Sequence, residues 1–182
     1  MDADRAVADL ELFLAERGDY LLRTAVLLTG SREAGEDLLQ TALERLLKRW
    51  ASIDGNPEGY LRRTLYHLAA DRWRQQAALR RQLRLLRPWA GSVVADPIAD
   101  VELRDSLVRL LMQLPPRQRA VIVARYWEQL SEAESAQMLG CSIGTVKSAT
   151  ARGLRRLREL SGLPDREQKD VARPESARER MA

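Results

Sequence analysis

The chain has 182 residues, 45% of them hydrophobic and only 5% aromatic, with a formal net charge of +4. Its length allows one domain or two small ones, and its wealth of Leu, Ala, Arg and Glu predicts an all-α protein rather than a β-sandwich. An acidic Met-Asp-Ala-Asp start, no apolar run of membrane-spanning length and a single cysteine argue against a signal peptide, a membrane span and an internal disulfide, and fit a cytoplasmic protein.

Residues 5–28 read as one helix interrupted near Gly18–Asp19, or two in sequence, with Leu10, Phe13 and Leu14 on one apolar stripe and Leu21, Ala25 and Leu28 on another. Thr29-Gly30-Ser31 is a stop followed by a new cap. In the next helix Leu39, Ala42, Leu43, Leu46, Leu47 and Trp50 recur at helical steps. Its other side shows Glu36, Asp37, Gln40, Thr41 and Glu44, then turns basic at Arg45, Lys48 and Arg49, which suits the helix dipole. These charges by themselves describe an ordinary solvated face.

Ala51 to Gly59 is a loop, since Asp54-Gly55-Asn56-Pro57 is turn chemistry throughout. A long helix follows, with Leu61, Leu65, Leu68 and Ala69 on its buried side. Arg63, His67, Ala70 and Arg74 share another face, flanked by Arg62, Tyr66 and Trp73. Cations interleaved with aromatics suit single-stranded nucleic acid, because the charges track phosphates while rings stack on unpaired bases. Tyr66 and Trp73 are equally well read as core anchors. Residues 76–100 form a linker that begins as a basic continuation of the helix and breaks at Pro88. About 24 residues could span at most roughly 80 Å.

Val101, Leu107, Leu110, Leu111 and Leu114 open a second helical domain. Pro116 suits the first turn of a helix, whose apolar face is Val121, Ile122, Ala124 and Tyr126–Trp127. Ser131 with Glu134 is a capping box, Gly140 a helix stop and Ser142 a further cap. In the last helix Val146, Ala149, Gly153 and Leu157 face inward, while Lys147, Ser148, Arg152 and Arg155 lie opposite. From Lys147 to Arg158 there are five basic residues and no acidic one. Such a hairpin reads as a helix-turn-helix whose last helix enters a major groove. Residues 161–182 are polar and predict a disordered tail. One histidine and one cysteine far apart, with no phosphate loop or nucleophile elbow, predict no enzyme, metal or cofactor.

The string from Leu114 to Ser148, opening Leu-Pro-Pro-Arg-Gln-Arg and closing Gly144-Thr145-Val146-Lys147-Ser148, resembles the promoter −35-binding module of bacterial RNA polymerase sigma factors. It is most similar to the extracytoplasmic-function (ECF) group and its actinobacterial sigma-E-like members. GSREAGEDLLQTALERLLKRW followed by YLRRTLYHLAADRWR resembles that family's other module, and the two cover most of residues 10–160. The resemblance implies two helical domains on a flexible linker: 5–75 for core docking and the −10 element, 101–160 for the −35 element, joined by 76–100. It implies that Asp37, Gln40, Thr41 and Glu44 face the β′ clamp helices of core polymerase, with the β flap as a second core contact. It implies −10 contacts from Arg62, Arg63, Tyr66, His67, Trp73 and Arg74, with Asp71 in the same segment. Ile53, Asp54 and Asn56 fall in the loop that captures a flipped base. The −35 contacts would come from Ser142, Thr145, Lys147, Ser148, Arg152 and Arg155.

His67 stands where the family often has asparagine, and Thr150-Ala151-Arg152-Gly153 departs from its usual pattern, so base preference does not transfer. The implied protein is a monomer when free and binds core polymerase and promoter DNA, with an anti-sigma factor left open as a further partner. The competing class is a homodimeric helix-turn-helix regulator of a palindromic operator. It gives no purpose to a cationic–aromatic helix beside a polar docking helix.

Overall fold

A computed structural model describes residues 3–53, 56–86 and 102–162, which contain seven α-helices and no strand. Helix α1 (Ala3–Thr29) runs unbroken through Gly18–Asp19, where the sequence suggested an interruption. A glycine inside a helix costs about 1 kcal/mol relative to alanine. Here Leu21, Ala25 and Leu28, all fully buried on the next turns, hold the helix together. Full burial of one such leucine stabilises by about 1.5–3 kcal/mol.

Gly30 then turns the chain with φ +96°, and Ser31 caps α2 (Arg32–Arg49) by accepting from the Ala34 amide at 3.2 Å. Leu38, Ala42 and Leu46 form the buried stripe of α2, whereas Leu47, expected on it, is exposed. A 3₁₀ turn (Trp50–Ser52) leads to the loop and α3 (Pro57–Leu86). Asn56 caps α3 through its Oδ1, which accepts from the Gly59 amide at 2.7 Å. Leu61, Leu65 and Ala69 are buried as their spacing predicts, with Leu68 partly so.

The second domain starts with α4 (Glu102–Met112), in which Leu111 is buried and Leu107 exposed, and Leu114 packs just beyond it. Pro116 occupies the first turn of α5 (Pro116–Ile122). The chain then widens into a π-helical turn (Val123–Trp127), in which the Glu128 amide reaches back to the Val123 carbonyl at 3.0 Å. That extra residue breaks the 3.6-residue period. Tyr126, expected on the inner face, therefore points to solvent, while Trp127 turns inward.

Ser131 and Glu134 form the expected capping box at the start of α6 (Glu132–Leu139), with bonds of 3.2 and 2.7 Å. Gly140 closes it at φ +61°. Ser142 caps α7 (Ile143–Ser161) by accepting from the Thr145 amide at 3.2 Å. Val146 and Ala149 join Val121 and Ala136 in a small core. Gly153 lets α7 close on α5, since a Cβ there would stand 3.0 Å from Ile122 Cγ1. The larger core is continuous across both domains: Leu21, Leu28, Leu61 and Leu65 pack in one cluster with Leu111, Leu114, Ala120 and Val123.

Candidate nucleic-acid interface

The α2 candidates come together. Asp37, Gln40, Thr41 and Glu44 are exposed and line one shallow groove of about 480 Å³ between α2 and α3, with Arg45, Asp71, Arg72 and Gln75 on its walls. Arg72 ties the helices at the groove, lying 3.6 Å from Asp37 Oδ2 and donating to the Ala34 carbonyl at 3.3 Å. The groove is lined only by residues of the first domain.

Along α3 Arg63, His67 and Arg74 are exposed, the last paired with Asp71. Arg62 and the aromatics lie differently. Tyr66 is 1% exposed and Trp73 is half-buried, with the Arg119 guanidinium 5.2 Å from its ring centroid. Arg62 pairs with Glu128, whose side chain is fully covered. Ile53 is partly buried against the core, Asn56 is exposed at the helix cap, and Asp54 lies outside the described residues.

Burial and the Glu128 charge push the Tyr20 hydroxyl up to about 12. The same two causes raise Tyr66 well above its ordinary value. Burial alone lowers Arg119 to about 10. Each shift disfavours the charged form of a group withdrawn from water.

On α7 Thr145, Ser148 and Arg152 follow the Ser142 cap, and Arg152 Nη2 donates to Ser148 Oγ at 3.3 Å. Lys147 lies 3.6 Å from Glu132, and Arg155 is exposed. A basic helix with small polar residues in its first turns has the chemistry of a major-groove reader.

The two candidate DNA surfaces face each other. Tyr66, His67, Trp73 and Arg74 on α3 line the same cleft, about 770 Å³, as Thr145, Ala149 and Arg152 on α7. One turn of B-DNA is about 34 Å long, so no duplex fits such a space. Beside this cleft the two domains are joined through Tyr20, Thr24, Arg119, Trp127 and Glu128, and nothing in the sequence pattern assigns them that role. Periodicity marks Trp127 only as helix core, and local spacing does not mark a charged residue such as Glu128 or Arg119 as buried.

Comparison with known proteins decides the family. The family Sigma-70 region 2 matches residues 14–79, and Sigma-70, region 4 matches residues 104–157. An RNA polymerase sigma-E factor of Streptomyces coelicolor is 37% identical, over 97% of this chain and 98% of its own. This chain is an ECF sigma factor of the actinobacterial sigma-E-like group. The ECF RNA polymerase sigma factor SigM of Mycobacterium tuberculosis is 36% identical to this sigma factor over 78% of the chain and 71% of its own. The solved sigma factor RpoE of Bartonella quintana, in complex with the anti-sigma factor NepR, matches with a TM-score of 0.63 and 25% identity. That match covers 86% of this sigma factor and 99% of the other chain. Sigma factors bind RNA polymerase core and promoter DNA, which sets aside the homodimeric-regulator alternative. No described helix of this sigma factor is long and apolar enough to cross a membrane.

Proposed function

We propose that this sigma factor docks on the β′ clamp helices through Asp37, Gln40, Thr41 and Glu44, and directs transcription by binding alone, with no chemistry of its own. Residues 5–75 form the docking and −10 module, 101–160 the −35 module, 76–100 the linker and 161–182 the tail. Arg63, His67 and Arg74 track the phosphates of the melted strand. Arg62, Tyr66 and Trp73 join them once the second domain has moved away, and the loop with Ile53, Asp54 and Asn56 takes an unstacked base. Unstacking costs a few kcal/mol, which capture on such a surface offsets. Ser142, Thr145, Lys147, Ser148, Arg152 and Arg155 read the −35 element, and the β flap holds that domain on core.

The observation that carries this reading is the order of surfaces in one chain: polar groove, cationic–aromatic helix, capped basic helix. The reading makes the protein a cytoplasmic monomer when free. It also extends to an anti-sigma factor as a partner, since the similar Bartonella structure was solved with one. Run-off transcription with purified core and a promoter library tests it. A discrete set of selected promoters with −10 and −35 elements is expected, and core that starts no differently with and without the protein would refute the reading.

A further inference from the structure

The contact between the domains is organised by one buried acid. Glu128 sits at the end of the π-helical turn, which packs against α1 of the first domain. Its ion-pair partner Arg62 and its hydrogen-bond donor Thr24 (3.0 Å) both belong to that first domain. The Thr24 hydroxyl also accepts from Trp127 Nε1 at 2.9 Å. Trp127 in turn lies stacked on Tyr20, with ring centroids 5.7 Å apart and planes 12° from parallel. Two further contacts close the same seam. Arg119 covers the ring of Trp73, and Met112 packs so closely on Gly30 that a Cβ there would stand 2.3 Å from its sulfur.

Arg62 is therefore claimed twice. It lies on α3 among the residues assigned to the melted strand, yet its guanidinium is paired with a carboxylate from the −35 domain. A carboxylate on a guanidinium makes the same charge-assisted contact as a DNA phosphate. We infer that Glu128 is a latch, a phosphate-mimicking carboxylate with which the second domain holds the two DNA surfaces against each other, so that the −10 strand and the closed state compete for Arg62. This rests on the assignment of α3 to the −10 strand. The cleft geometry adds that the closed state covers Tyr66 and half-buries Trp73 at the same time. Removing one member of a buried pair leaves the other charge uncompensated, so the latch is sensitive to a single side chain.

The test uses the full chain without core polymerase, comparing wild type with Glu128→Gln and Thr24→Val. Small-angle X-ray scattering gives the radius of gyration. Fluorescence anisotropy gives affinity for a short fluorescein-labelled single-stranded DNA pool of randomised sequence. Both variants should expand and bind the strand more tightly, Glu128→Gln by roughly tenfold, because apparent affinity rises with the competent fraction. Thr24→Val changes no charge, so tightening there cannot come from net electrostatics, and it carries the test should Glu128→Gln lose its helices by circular dichroism. An unchanged radius overturns the latch whatever the affinity does, as does expansion without tighter strand binding. Run-off transcription by wild type with core separates this from the underlying reading. Specific transcripts beside a failed latch sink the latch alone, and their absence sinks the −10 assignment and the competition with it.

Discussion

Arg152 is held beside the first turns of α7 by Ser148 and looks into the cleft. Arg152→Ala should cost about 1–3 kcal/mol of discrimination at one −35 position if its contact is a bidentate base pair. A binding titration of core-bound protein against single-base promoter variants checks this, and an even loss across all variants would make the contact a phosphate one. One residue on, Gly153 faces inward, and Gly153→Val should destabilise by about 1–3 kcal/mol through overpacking against Ile122. Thermal unfolding measures it. Residues of this kind differ in how far the sequence reveals them. The Ser131 cap, the Gly140 stop and the Ser142 cap are legible because each partner lies within a few residues, where local chemistry decides. Thr24 and Glu128 are 104 residues apart, and nothing near either marks it as buried.

At the scale of helices, α2 presents a face whose charges the sequence could equally assign to solvent. Asp37→Lys or Glu44→Lys should lower affinity for core while leaving the fold intact, because the exposed Asp37–Arg72 pair contributes little to stability. Core pull-down together with circular dichroism decides between docking face and solvated face. Helix α6 has a built-in acid sensitivity. Hydrogen bonds from the Ser131 side chain and backbone hold the Glu134 carboxyl below its ordinary value. A depressed carboxylate stabilises above the ordinary carboxylate range, and that contribution is lost as pH falls through the folded value. The stability gap between wild type and Glu134→Gln should therefore be full near neutrality and shrink in acid, as denaturant midpoints would show. The periodic faces of α1, α2 and α3 were legible in the sequence. The unbroken α1 was not, because packing of Leu21, Ala25 and Leu28 overrides the glycine's propensity. Nor was the outward Tyr126, because a π-helical turn carries no period of its own in the pattern.

Across the whole molecule, two helical modules were legible from their motifs, but the packed arrangement rests on contacts between distant segments. The Tyr66 hydroxyl is buried there without a hydrogen-bond partner among the described residues. Leaving such a group unsatisfied costs about 1–3 kcal/mol. The free protein should bind promoter duplex weakly, with little sequence preference and a steep salt dependence from its basic surface. Specific binding and permanganate-reactive −10 thymines should appear only with core, which fixes both surfaces at one separation. Tight, palindrome-specific binding without core would contradict this. The cleft also contains the chain's one thiol. Cys141 lies in the turn before α7 and lines the space facing α3. Cys141 is partly exposed, so a maleimide attached to a carrier too bulky for 770 Å³ should react faster with molecules whose domains have parted. Its rate relative to that of a small maleimide should rise in any variant that parts the domains, so native chemistry alone reports the opening.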